Sequence, residues 1–195
     1  MCAQVTRVYF VRHAQSDYRS GSDRERGLTP EGLEDRRVVL DFLRDKPVDA
    51  FYCSPYRRSL DTIQEAADHF GLAIRTDERL RERETVPGGN VRELFQRRWA
   101  DFDWHEEGGE CLRSVQARNI AALTDILNES REKTVVIGTH GTALSTILHY
   151  YDPSFNCASF MRFIDWMPFV VELDFSGTEL VSKTEHVYVE KVFVP

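Results

Sequence analysis

No apolar run in the 195 residues approaches the roughly 20 needed to cross a bilayer, so the sequence offers no transmembrane helix and no membrane partner. Residues 1–11 also lack the basic start and long apolar stretch of a secretory leader, which makes a cytoplasmic location the expectation. Cysteine is scarce and scattered: Cys2, Cys53, Cys111 and Cys157 form no C-x-x-C pair, so neither a zinc knuckle nor a dithiol redox motif is expected. Free thiols in a reducing compartment fit that usage. There is no basic excess either. Lys and Arg total 25 against 32 Asp and Glu, a net charge of -7, which argues against a nucleic-acid partner while leaving room for a local basic pocket. Repeats, low-complexity tracts and linkers are absent, so residues 1–195 read as a single domain. What is present is ordinary for a packed core: 42% hydrophobic and 11% aromatic residues.

Short β-branched runs alternate with stretches of helical spacing. Residues 5–11 form an apolar strand that stops at Arg12 and His13. Thr29-Pro30-Glu31 has the order of a cap, a first helical position and an acidic first turn, and predicts a helix to about Leu43. A second strand over 48–53 ends at Ser54-Pro55, with Ser54 expected to cap a helix that runs to about Phe70 and closes at Gly71. Residues 72–76 are a third strand candidate, and 91–104 and 111–127 have helical spacing. The very apolar strand 134–138 stops at Thr139-His140, and a helix over 142–150 follows. Residues 169–175 and 181–194 alternate around Ser176-Gly177 as an antiparallel pair. The alternation implies an α/β fold: a three-layer α/β/α sandwich whose mostly parallel central sheet ends in an antiparallel C-terminal edge. That edge strand could pair with a second copy in a homodimer.

Two strands therefore deliver a histidine at the carboxyl end, where ligands bind in open α/β sheets. Arg12 sits beside His13, and Arg57 lies early in the helix after the second strand. Two guanidinium groups and two imidazoles suit a dianionic tetrahedral group, because the forked donors of Arg match phosphate oxygens.

Six segments, in order, resemble the motifs of the histidine phosphatase superfamily, which includes the cofactor-dependent phosphoglycerate mutases. Arg12-His13-Ala14-Gln15-Ser16 resembles R-H-G-[EQ]-S, and Leu28-Thr29-Pro30-Glu31-Gly32 resembles L-T-x-x-G. The stretch Cys53-Ser54-Pro55-Tyr56-Arg57-Arg58-Ser59-Leu60-Asp61-Thr62 is similar to S-S-P-x-x-R-A-x-x-T. Leu80-Arg81-Glu82, Gly109-Glu110-Cys111 and Gly138-Thr139-His140-Gly141 resemble the L-x-E, G-E-S and second-histidine elements.

The resemblance implies a phosphoglycerate mutase-like fold and a phosphomonoester hydrolase of the histidine acid phosphatase type. It implies a phosphohistidine on His13, which must be neutral to attack phosphorus. It implies phosphate binding by Arg12, Arg57, His140, Gly141, Ser16 and Arg19, and proton transfer by Glu82, with Glu84 and Glu110 as alternative acids. No metal and no cofactor are implied; the substrate would be a small phosphorylated metabolite and inorganic phosphate a product. Four positions depart from the family pattern. Ala14 stands where Gly is usual, Arg19 where a phosphate-donating Asn is frequent, and Cys53 and Cys111 where Ser is common. A mutase, or a phospho-ligand-binding member without turnover, are the competing readings. The compact length favours the phosphatase, and the intact set of Arg12, His13, Arg57, Glu82 and His140 favours an enzyme over a binder. Residues 18–26 and 83–104 are the loops expected to select the substrate, the second carrying Phe95, Trp99, Phe102 and Trp104.

Overall fold

The computed structural model describes residues 5–19 and 21–192. Cys2, Ser20 and the last two residues of the expected final strand, 193 and 194, lie outside them. The six strands are β1 (Thr6–Arg12), β2 (Ala50–Cys53), β3 (Ile74–Thr76), β4 (Thr134–Thr139), β5 (Trp166–Ser176) and β6 (Glu179–Glu190). They form one sheet in the order β3-β2-β4-β1-β5-β6. The first four are parallel, while β5 and β6 run antiparallel. The helices are α1 (Pro30–Asp35), α2 (Arg37–Leu43), α3 (Arg57–Phe70), α4 (Arg92–Ala100), α5 (Leu112–Glu129), α6 (Gly141–Tyr151) and α7 (Cys157–Arg162). Among the described residues, no helix is long and apolar enough to cross a membrane.

Alternation along the central strands builds two cores, because successive side chains leave a strand on opposite faces. Val8 and Phe10 of β1 join Val135 and Ile137 of β4 on the face covered by α5, α6 and α7. Tyr9, Val11 and Val136 point the other way, onto Val39, Leu43, Ile63 and Ala66 of α2 and α3. β6 is polar and largely exposed, as an edge strand must be to stay soluble.

Two expectations require correction. The single helix expected from residue 30 to 43 is divided at Arg36. There the chain tightens into a three-residue turn, with the Val39 N–H donating to the Arg36 carbonyl at 3.0 Å, while the guanidinium turns onto the Asp61 carbonyl of α3. Ser54 does not cap α3, which begins at Arg57 behind Tyr56. Its Oγ is drawn instead to His140 Nε2 at 2.7 Å and to the Tyr56 N–H at 3.2 Å. Periodicity did not reveal α7, a short helix capped by Asn156.

Gly138 in β4 is where β2, α3 and β4 meet most closely. A Cβ there would lie 2.5 Å from Cys53 Sγ and 3.0 Å from Ser59 Oγ. Gly138→Ala is therefore expected to overpack the centre and cost about 1–3 kcal/mol in urea denaturation. An unchanged midpoint would show that α3 can move away freely.

Candidate active site

The site forms at the carboxyl ends of the two central parallel strands. Arg12 of β1 is in register with Thr139 of β4, and the His13 N–H donates to the Thr139 carbonyl at 3.1 Å. The next residue on each strand is a histidine, so the two rings meet edge to face with centroids 5.3 Å apart. Both are buried.

His13 Nδ1 lies 2.7 Å from the Ala14 carbonyl oxygen. A carbonyl only accepts, so Nδ1 carries the proton and Nε2 carries the lone pair. Burial, then the charges of Arg58 and Arg12, hold the His13 imidazole well below its ordinary range. His140 is held down by burial and by Arg58 in the same way. Both rings are thus neutral at pH 7. His140 rests on the Tyr56 ring at 5.2 Å, and its Nδ1 has no hydrogen-bond partner among the described residues.

The cleft beside His13 is lined by Arg12, Arg26, Arg58 and Arg83, with Asp23 and Glu82 as its carboxylates. With both imidazoles neutral, four guanidinium groups face two carboxylates in this lining, a local excess of positive charge that suits a phosphoryl group in an otherwise acidic chain. Arg12 is aimed by the carbonyls of Phe163 and Trp166, and burial lowers its guanidinium to about 10. Gly141 opens α6 against it: a Cβ there would meet the Arg12 guanidinium at 3.4 Å. Arg58 is buried, donates to the Asp23 carbonyl and stacks over Tyr56 at 4.9 Å. Arg26 pairs with Asp23 at 2.7 Å and lies over the Tyr18 ring at 4.1 Å. The Nε atoms of Arg12, Arg26 and Arg58 have no hydrogen-bond partner among the described residues, so the cluster retains unspent donors.

Glu82 faces this cluster from the segment after β3. Its Oε1 accepts the N–H groups of Arg83 at 2.7 Å and Ala143 at 3.1 Å, and its Oε2 accepts the Thr142 N–H at 2.9 Å. The carboxylate thereby sits on the positive end of α6. Oε2 keeps one acceptor direction for a proton. Glu84 is exposed and paired with Arg81, and Glu110 is paired with Arg118, so neither alternative acid reaches the cleft.

Three expected phosphate ligands are not brought together with these groups. Arg57 is the main correction: its side chain is 69% exposed and pairs with Asp61, and α3 starts two residues later than a Ser54 cap would place it. Arg58 occupies the cleft instead. Counting S-P-x-x-R from Ser54 lands on Arg58, so the motif carried the signal and the visual spacing missed it. Arg19 is 87% exposed beside Asp17, and Ser16 lies in a separate cleft with Gln15, Thr29 and Met167. Arg26 was missed outright, since nothing in a polar loop distinguishes one arginine from its neighbours.

A family model described as the histidine phosphatase superfamily (branch 1) matches residues 8–164. The chain belongs to that superfamily. Among its relatives, a phosphoserine phosphatase of Hydrogenobacter thermophilus is 28% identical over 151 residues, covering 70% of this chain and 71% of that one. A glucosyl-3-phosphoglycerate phosphatase of Mycolicibacterium vanbaalenii is 23% identical over 169 residues, covering 74% and 73%. In fold, the chain is similar to a mycobacterial glucosyl-3-phosphoglycerate phosphatase, with a TM-score of 0.73 at 21% identity over 94% of this chain and 98% of that one. It is likewise similar to a phosphoserine phosphatase of Entamoeba histolytica solved with phosphoserine, with a TM-score of 0.72 at 18% identity over 94% and 96%. The superfamily's Thr62 position has a visible purpose here. Thr62 Oγ1 accepts the Ala14 N–H at 3.0 Å and donates to the Arg58 carbonyl at 2.7 Å.

The buried neutral histidines make stability depend on pH. Their folded values lie below the unfolded value of 6.5, so below about pH 6.5 the unfolded chain binds protons that the native chain refuses. Stability is complete above that pH and falls as the solution is acidified. Each ring removes up to about 1.4 kcal/mol per pH unit. Urea unfolding at pH 7.5 and 5.5 is expected to show this loss, and His13→Gln with His140→Gln to flatten it. An equally steep fall in the double variant would place the titration elsewhere.

Proposed function

We propose that the protein hydrolyses phosphomonoesters of small metabolites through a phosphohistidine on His13. The observation that carries this reading is the unprotonated Nε2 of His13 beside a cleft lined by four arginines. In the first step the Nε2 lone pair attacks phosphorus and the bond from phosphorus to the ester oxygen breaks. Glu82 Oε2 gives its proton to that departing oxygen. In the second step a water attacks phosphorus, Glu82 takes the water's proton, and the electron pair of the N–P bond returns to Nε2. Inorganic phosphate leaves.

Arg12, Arg58 and Arg26 neutralise the transferring group, and His140, donating from Nδ1 while Ser54 holds Nε2, adds a fourth donor. Such preorganised donors are worth most in a site that water does not screen. Splitting one displacement into two is the gain from a covalent nucleophile. The lining continues beyond the arginines along Thr85, Asn90, Phe95 and Ile164, which supports a metabolite carrying both polar and apolar parts. The phosphoserine and glucosyl-3-phosphoglycerate phosphatases among its relatives support hydrolysis of that size of substrate.

Turnover of 4-nitrophenyl phosphate in excess chelator is the first expected outcome. Rapid acid-free quenching should trap an acid-labile phosphoryl group, which His13→Ala abolishes along with turnover; full activity in His13→Ala would end this reading. The arginine assignment is checked by kcat/KM. Arg58→Ala is expected to lose on the order of 100–1000-fold, and Arg57→Ala less than about threefold. The reverse order would restore Arg57 to the site.

A further inference from the structure

Arg118 lies in α5, outside the cleft, yet its guanidinium spends three of its five donors on the segment that carries the proposed acid. Nη1 donates to the carbonyl oxygens of Arg79 at 2.8 Å and Arg81 at 2.6 Å, and Nη2 donates to that of Glu82 at 3.0 Å. Nε and Nη2 also reach Glu110 Oε1 and Oε2, each at 2.8 Å. Glu110 Oε2 in turn accepts the Glu84 N–H at 3.2 Å. Backbone groups before, at and after Glu82 are thus tied to one ion pair. Burial pushes the Glu110 carboxyl up, but the fork and charge of Arg118 more than offset this and leave it below its ordinary value. Glu110 therefore stays an anion wherever the enzyme would work.

The segment needs such a tie. Residues 79–84 hold little regular structure beyond the end of the 3-10 turn Glu78–Leu80. Isolated carbonyls in an irregular segment are free to reorient unless something accounts for them. A planar cation with five fixed donors gathers three of them at once, which the compact ammonium of Lys cannot do. The far end of the same residue is fixed separately, where the Glu82 carboxylate meets the Thr142 and Ala143 N–H groups of α6. Main chain and side chain of the acid are therefore referenced to two different helices. Proton transfer demands that precision, because donor and acceptor must come within hydrogen-bond reach and small misplacements are costly.

We propose that Arg118, braced by Glu110, is a positioning residue that sets where Glu82 delivers its proton. This rests on the reading of Glu82 as the general acid. A leaving-group comparison tests it, with kcat/KM measured on 4-nitrophenyl phosphate, whose phenolate departs without a proton, and on an alkyl monophosphate, whose alkoxide does not. Arg118→Lys is expected to lose about tenfold or more on the alkyl substrate and less than about threefold on the aryl one. Glu110→Gln should show the same selectivity, and stands in if Arg118→Lys does not fold. Glu82→Gln is the reference and should show the pattern most strongly. Equal losses on both substrates in Arg118→Lys and Glu110→Gln, with Glu82→Gln still selective, would overturn the positioning role alone. A Glu82→Gln enzyme with no preference would overturn the acid assignment and this inference with it.

Discussion

Strands β1 and β4 run side by side in parallel with Arg12 opposite Thr139, and the site exists because of that register. A slip of one residue would turn every β1 side chain to the opposite face of the sheet and carry His13 away from His140. The register is held by the strands' own side chains, since Val8, Phe10, Val135 and Ile137 fill one core while Tyr9, Val11 and Val136 fill the other. Function is thereby paid for by packing: the alternation that makes the sheet stable also fixes which way the imidazoles point.

The surrounding electrostatics oppose that stability. Arg12, Arg58 and the two histidines are withdrawn from water, and desolvation weakens the charged form of each. The chain accommodates this without cancelling it. Asp23 and the Phe163 and Trp166 carbonyls take some of the guanidinium donors, and the imidazoles simply remain neutral. A neutral imidazole is also what an attack on phosphorus requires. Burial thus costs folding energy and, by the same means, keeps the His13 lone pair that the proposed attack would use. A second cationic group, Arg83 and Arg98 around Glu106, continues along the wall of the cleft.

Much of this was legible in the residues. Strand ends at Arg12-His13 and Thr139-His140 are abrupt transitions from apolar to polar, and Gly71 closing α3 in the left-handed region follows from glycine's lack of a Cβ. The polar connections resisted reading. Adjacent helix positions differ in direction by about 100°, so whether Arg57 or Arg58 enters the cleft depends on where α3 begins, and Ser54, which bonds a histidine 86 residues away, does not cap it. No local pattern records such a contact. Arg26 and Arg19 sit in one loop with similar neighbours, and only tertiary packing places one over Tyr18 and leaves the other in solvent. Glu110 looked like a spare acid because sequence shows the carboxylate but hides its arginine partner.

Thr62 joins two parts of the site that lie on different secondary elements. Its hydroxyl accepts from the backbone just after His13 and donates to the carbonyl of Arg58. The backbone after His13 and that of Arg58 therefore share a common anchor on α3. A drift of that helix, whether from thermal motion or from a substitution in its packing, carries both groups in the same direction and largely preserves the gap between them. Disturbance reaches the site as a common-mode displacement, which leaves a scaffold free to vary in sequence around a separation that chemistry does not allow to change.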